Sequence, residues 1–466
     1  MPAHAGACRG YTVPMSPARF ACCLLACGFL LLPSSIQAQE GARAKAIDAG
    51  FQKFWAAASP AEAETAAAAL IQAGVNFDEA WQRLKTGRTY GPQPSGVFVR
   101  SNHGPGGVEH NYAVNVPARY DPSRRYQVRF QLHGGIGART DNKPRGTGEI
   151  GSLAGAEQFY VLPYAWADSP WWSSDEVLNL NAIVDALKRT YNIDENRVVV
   201  AGVSDGATGA YYIAMHDTTP YASFLPLNGF IMVLANGDID DGRIFPNNLR
   251  NKPLFVVNGG RDRLYPTGIV EPFTQHLRSG GVQIDYHPQP EGEHNTKWWP
   301  EVKDTLEQFV ADHPRNPHPD TLTWDAANPQ NHTAHNRAHW LVLDEFGPAP
   351  GETERVADVN GVAPSENELF PQTEGLLFGR EKTAGYVHLV RTGHTVQAVT
   401  KGVTAFTLLL SPDRFDFRQA VKVVANGREV FNGMVATSVK TLLTWAAGDN
   451  DRTMLYGAEL QIKLAR

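Results

Sequence analysis

The chain has 466 residues, 42% of them hydrophobic and 19% charged, a make-up that folds around a sizeable core and excludes an intrinsically disordered protein. A formal net charge of −6 excludes the broad positive field that gathers nucleic acid or anionic lipid. The length exceeds the ~100–200 residues of a usual domain, so a large domain with additions is expected.

At the N-terminus, Arg9 and Arg19 precede an apolar run over residues 20–32, followed by Pro33, Ser34 and Ser35. The pattern predicts a Sec-type signal peptide over residues 1–38, cleaved after Ala38, and hence a secreted or periplasmic protein. The run falls short of the ~20 residues that span a bilayer, and no later stretch is longer, so no membrane span is expected. Leu24-Leu25-Ala26-Cys27 resembles a lipoprotein box, but the apolar run continues past Cys27, which ranks ordinary cleavage above acylation. All four cysteines, Cys8, Cys22, Cys23 and Cys27, lie in this leader. The mature chain is therefore expected to hold no disulfide, no cysteine nucleophile and no cysteine-based zinc site.

Residues 39–94 read as a helical segment of two or three short helices, with Ser59 before Pro60 as an N-cap and Gly74 as a stop. From residue 95 to 314 strands and helices alternate. Strands are predicted near Val97 and over 112–116, 126–132, 159–163, 197–201, 254–258 and 282–286; helices over 176–191, 206–215, 269–278 and 297–312. Alternation of this kind implies a mostly parallel sheet with helices on both faces. Pro314, Pro317 and Pro319 stop the last helix and read as a linker. Beyond it, residues 319–466 change to strands and turns, including 340–343, 405–410 and 421–424 with the turn Asn426-Gly427. A β-rich, sandwich-like accessory domain is expected there.

The chemistry centres on Gly202-Val203-Ser204-Asp205-Gly206, a G-x-S-x-G sequence between the apolar run Val198-Val199-Val200 and a helical stretch. A sharp strand-to-helix turn lifts the serine above the sheet, and glycines admit the close backbone approach this needs. A serine hydroxyl is a weak nucleophile and needs a base that a third group holds. Asp262 follows the strand at 254–258, and His294 follows the next strand. Asp238, Asp240, Asp241, Asp285 and His287 are competitors, but the first three form a solvated loop and the last two lie in or at the end of a strand. His133-Gly134-Gly135-Ile136-Gly137 follows the strand ending at Leu132 and offers backbone N–H groups to an oxyanion. Gly135 is the expected loop donor, with Gly134 and Ile136 as alternatives, and the N–H of Asp205 is the second donor.

Together with Asn196-Arg197-Val198, these loops resemble the esterase branch of the α/β-hydrolases over about residues 95–314. That branch includes feruloyl-esterase-like and polyhydroxybutyrate-depolymerase-like enzymes and related predicted peptidases of the prolyl-oligopeptidase type. The resemblance implies an α/β-hydrolase fold and a serine hydrolase acting on a small-molecule or polymeric ester through Ser204, His294 and Asp262, without a cofactor. It leaves a serine peptidase, or a polymer- or partner-binding protein on the same scaffold, as alternatives, and nothing in the sequence fixes an oligomeric state. Asp205 departs from the pattern, since the residue after the nucleophile is frequently small or uncharged in such enzymes. Trp171, Trp172 and Trp298 lie in loops at strand ends and could line a substrate pocket, against the alternative that they cement those loops to the core. His332, His335 and His339 have metal-like spacing, but Trp340-Leu341-Val342-Leu343 reads as a strand and breaks the helical register, so no metal is expected.

Overall fold

Strand and helix alternate from residue 96 to 312, and the strands assemble into one eight-stranded sheet. The computed structural model describes residues 34–104, 107–138, 153–236, 239, 244–327, 336–347, 354–355, 376–378 and 384–464. Contacts divide the chain into two units, Met1–Lys45 and Ala46–Arg466. Residues 1–33, which hold the four cysteines and most of the expected leader, lie outside the described residues.

Three helices come first: α1 (Ser34–Ala56), α2 (Pro60–Gln72) and α3 (Phe77–Thr86). α1 runs through the expected cleavage point and is longer than the short helices read from the sequence. Ser59 caps α2 by accepting the Glu62 N–H, Pro60 stands at its first position, and Gly74 follows it at φ 75°.

The sheet contains β1 (Gly96–His103), β2 (Glu109–Val116), β3 (Tyr126–Leu132), β4 (Phe159–Pro163), β5 (Ile193–Val203), β6 (Ser223–Leu227), β7 (Leu254–Gly259) and β8 (Ile284–Gln289). Their order is β1-β2-β4-β3-β5-β6-β7-β8. β1 and β2 run antiparallel at one edge, and every pair from β4 to β8 is parallel. The crossovers carry α4 (Ser174–Thr190), α5 (Asp205–His216) and α6 (Thr267–Ser279), and α7 (Trp299–Asp312) follows β8. Successive residues of a strand point to opposite faces. Val198, Val200 and Val256 accordingly join α4 and α5 in one core, while Val199, Ala201, Phe255 and Val257 join α7 in the other. Burial on both faces explains the continuous apolar runs, each such side chain contributing about 1.5–3 kcal/mol.

β6 is the strand that the sequence pattern misses. Pro226 lies inside it, paired with Gly202 in the middle of the sheet, where proline normally argues against a strand.

The remaining strands form two larger sheets and one pair. β9 (Thr321–Ala327), β14 (Ala384–Thr392), β15 (Thr395–Lys401), β17 (Val421–Ala425) and β18 (Arg428–Gly433) make a five-stranded sheet. β10 (Arg337–Ala338), β11 (Leu341–Phe346), β16 (Val403–Leu410) and β19 (Ala458–Lys463) make a four-stranded one, and β12 (Glu354–Arg355) pairs with β13 (Leu376–Phe378). The two larger sheets share one apolar core that includes Trp324, Leu389 and Val423 with Leu341, Phe406 and Leu460. Asn426 and Gly427 take φ 50° and 77° at the turn between β17 and β18, the positive pair a two-residue hairpin turn requires.

Two features run against the simple division read from the sequence. α8 (Val439–Asp449), which the strand-and-turn pattern does not suggest, packs Leu442, Leu443 and Ala446 into a core with Leu70 of α2 and Leu84 of α3. The segment between α7 and β9 is not an exposed tether, since Arg315 and His318 within it are buried.

Candidate active site

β5 ends at Val203 and α5 begins at Asp205, so Ser204 makes the whole turn between them. Its backbone stands at φ 56°, ψ −117°, a conformation that costs a non-glycine residue of order 1–3 kcal/mol. The turn closes because its flanks lack side chains. A Cβ on Gly202 would fall 1.9 Å from the Gly206 carbonyl oxygen, and one on Gly206 would fall 2.1 Å from that of Leu132. The Ser204 N–H donates to Leu227 of β6 at 3.0 Å, which ties the strained residue to the neighbouring strand.

His294, on the loop after β8, brings Nε2 to 2.8 Å from Ser204 Oγ and Nδ1 to 2.7 Å from Asp262 Oδ2. An ionised carboxylate only accepts, so the proton stands on Nδ1 and leaves Nε2 to accept from the serine hydroxyl. Asp262 is buried at the end of the β7 loop, and its other oxygen accepts the N–H groups of Leu264 and Tyr265 at 2.8 and 3.0 Å. Burial by itself would raise its pKa. The hydrogen bonds from His294, Tyr265 and Leu264 outweigh that and hold the carboxyl below its ordinary value. Tyr265 sets its ring edge-on to His294, and burial beside the Asp205 and Asp262 carboxylates pushes its hydroxyl up to about 12, so it stays protonated.

Two buried asparagines hold the loops that carry these groups. Asn228, at the end of β6 with φ 50°, donates its amide to the carbonyl of Asn295, the residue after His294, at 2.7 Å. Asn258, in β7, donates to the carbonyls of Gly229 and Tyr265. Neither stands out in the sequence, because what marks them is position at a strand end and not a motif.

The loop after β3 is built against the serine. A Cβ on Gly134 would lie 2.9 Å from Ser204 Cβ, and Gly135 takes φ 65°. His133 Nε2 accepts the N–H of Ala165 at 3.2 Å, which places its proton on Nδ1, 3.0 Å from the Gly134 carbonyl. The C=O and N–H of a trans peptide point in opposite directions. Holding the Gly134 carbonyl on the imidazole therefore turns the Gly135 N–H to the other side of the loop. The Ile136 N–H donates to Asp205 Oδ2 at 2.8 Å. The N–H of Asp205 opens α5, among the first four of a helix that have no partner within it.

Two of the three tryptophans, Trp171 and Trp298, go to packing. Trp171 is fully buried, its Nε1 donating to the His133 carbonyl at 2.8 Å and its ring meeting that of His133 edge-on. Trp298 is 5% exposed within the core that holds α7, and Trp172 is partly buried against the α4 and α5 core. With no exposed surface Trp171 cannot form a substrate wall; it props the loop instead.

His287 pairs with Asp285 at 3.0 Å and stacks on Phe255. Asp238, Asp240 and Asp241 lie outside the described residues, as do His332 and His335. His339 is buried with Nδ1 3.1 Å from the Pro317 carbonyl, and burial holds its pKa well below the ordinary value. Among the described residues no group of three His, Cys, Asp or Glu side chains could hold a metal ion, and no helix is long and apolar enough to cross a membrane.

In strand order and in the turn at Ser204, the chain has the α/β-hydrolase fold. Its sequence similarity is to the esterase side of that fold. The Aspergillus terreus protein described as a probable feruloyl esterase C is 24% identical over 157 residues, which cover 32% of this chain and 57% of that protein. The chain thus spans little more than half the length of that relative. Among solved structures, a thermostable esterase is 21% identical with TM-score 0.37, covering 47% of this chain and 63% of the other. A ferulic acid esterase is 17% identical with TM-score 0.37, covering 47% and 98%, and a Bacteroides ovatus chain described as a dipeptidyl aminopeptidase IV is 13% identical with TM-score 0.39, covering 47% and 36%. No family model matches the sequence.

Proposed function

We propose that the chain hydrolyses carboxylic esters with Ser204 as nucleophile, His294 as base and Asp262 as the group that orients it. The observation that carries this reading is the continuous line of hydrogen bonds from Ser204 Oγ through His294 to Asp262, at 2.8 and 2.7 Å. As Oγ bonds to the ester carbonyl carbon, His294 Nε2 takes its proton, and the oxyanion accepts the N–H groups of Asp205 and Gly135. His294 then gives the proton to the leaving alkoxide as the C–O bond breaks, and an acyl group remains on Ser204. Water, deprotonated by the same nitrogen, attacks the acyl carbon, and the proton returns to Oγ as the acid departs. No step calls for a cofactor.

The similarity to a feruloyl esterase supports an ester, small or polymeric, as the substrate. Export under the leader, and an accessory role for the β-rich region after residue 319, complete the proposal.

The test compares the full-length protein with Ser204→Ala on aryl esters, feruloyl esters, polyester film and peptide anilides. The variant is expected to lose turnover and fluorophosphonate labelling while keeping its melting temperature. Wild-type labelling of the variant would remove Ser204 from the mechanism, and faster turnover of anilides than of esters would make the protein a peptidase.

A further inference from the structure

Asp205 is the residue in which this chain departs from the usual elbow, and its carboxylate has a partner. Oδ2 accepts the N–H of Ile136 at 2.8 Å, across 69 residues of sequence. Ile136 belongs to the loop 133–137, whose other fixed points are already described. Trp171 holds the His133 carbonyl, the imidazole of His133 holds the Gly134 carbonyl, and Gly134 leaves no room for a Cβ against Ser204. Those contacts fix the start of the loop. The Asp205 carboxylate fixes its far side.

We propose that Asp205 is a positioning residue, whose carboxylate clamps the Ile136 N–H and so sets the plane in which the Gly135 N–H meets the oxyanion. The inference rests on the esterase reading and gives the residue after the nucleophile two separate tasks. Its backbone N–H is a donor to the oxyanion; its side chain orients the opposite donor. The clamp joins the first residue of α5 to the loop after β3, so both donors move with the serine. A loop N–H displaced by 1 Å can cost ~10²-fold in rate, comparable with deleting an oxyanion donor at ~10²–10³. The role belongs to the acceptor atom and not to the charge, because a negative charge beside a developing oxyanion opposes it. An amide oxygen at the same place would hold the same N–H.

The experiment uses the full chain with Asp205→Ala and Asp205→Asn, reading aryl-ester kinetics and hydrogen exchange of the Ile136 amide. Asp205→Ala is expected to lower kcat by ~10–100-fold with KM moved less than about threefold, and to speed exchange at Ile136. Asp205→Asn is expected to recover most of kcat and the slow exchange. Full kcat in Asp205→Ala, or equal impairment of both variants, would overturn the clamp. Ser204→Ala, run beside them, separates the two ideas. If that variant hydrolyses esters at the wild-type rate, the esterase reading fails and takes the catalytic consequence with it. The Ile136 exchange then decides the clamp alone, and unchanged exchange in Asp205→Ala overturns it.

Discussion

Arg452 reaches back 257 residues to Glu195 in β5 and pairs with it out of water, Nε to Oε1 at 2.5 Å and Nη2 to Oε2 at 3.0 Å. The same guanidinium donates to the Ile193 carbonyl and the Asn192 side chain. Next to it, Asp451 meets Arg315 at 2.7 Å and Lys188 at 3.5 Å, all three buried. The segment after α8 is thereby locked to the strand that leads into Ser204.

Removing one partner of a buried pair leaves an uncompensated charge, at a cost of about 3–5 kcal/mol, whereas replacing both by apolar groups costs far less. Arg452→Ala is therefore expected to shift the urea midpoint strongly, and Arg452→Met with Glu195→Leu to recover most of the loss. Urea unfolding of the three proteins measures this, with aryl-ester turnover of the folded protein as control. If the double variant is as unstable as the single one, the pair is not what holds the segment. By the same reasoning a fragment ending at His318 leaves Glu195, Lys188 and Arg315 without their counter-charges and is expected not to fold.

Trp171→Phe keeps most of the ring and deletes the donor to the His133 carbonyl. Turnover is expected to fall roughly tenfold with KM nearly unchanged, because the loop loses a fixed point and no substrate contact is touched. A raised KM with kcat intact would return Trp171 to the substrate wall. Steady-state kinetics on one aryl ester separate the two.

Burial lowers the pKa of His318 to about 4, and neither ring nitrogen meets a partner among the described residues. An unfolded histidine titrates near ~6.5. The unfolded chain therefore takes the proton first; stability is whole above that pH and declines as pH falls from ~6.5 to about 4, by up to roughly 3 kcal/mol from this group. His339, whose pKa burial also lowers, adds to the slope. Melting temperatures between pH 7.5 and pH 5 are expected to fall for the wild type and to fall less for His318→Phe. An unchanged slope in that variant would place the pH sensitivity elsewhere.

What the sequence discloses is local. Gly202-Val203-Ser204-Asp205-Gly206 is legible because its requirements lie within five residues, and the apolar runs mark the strands on either side of the elbow. Asp262 and His294 are legible because each follows a strand. Pro226 hides β6, since its local signal contradicts a burial that only neighbouring strands create. α8 is hidden for the same reason, as its apolar face meets α2 and α3 from the other end of the chain. Exposure is what the sequence withholds at Trp171, and distance is what it withholds at Asp205, whose carboxylate looks like a departure until Ile136 is found beside it.

The lock between Arg452 and Glu195 also orders events in time. A ribosome releases Lys188 and Glu195 long before Asp451 and Arg452, and until then packing α4 and β5 into the core means burying an ammonium and a carboxylate group without their counterions, at several kcal/mol each. The nascent chain is thus discouraged from completing its central sheet early. The final assembly of the Ser204 turn is thereby coupled to a pair whose members lie 257 residues apart.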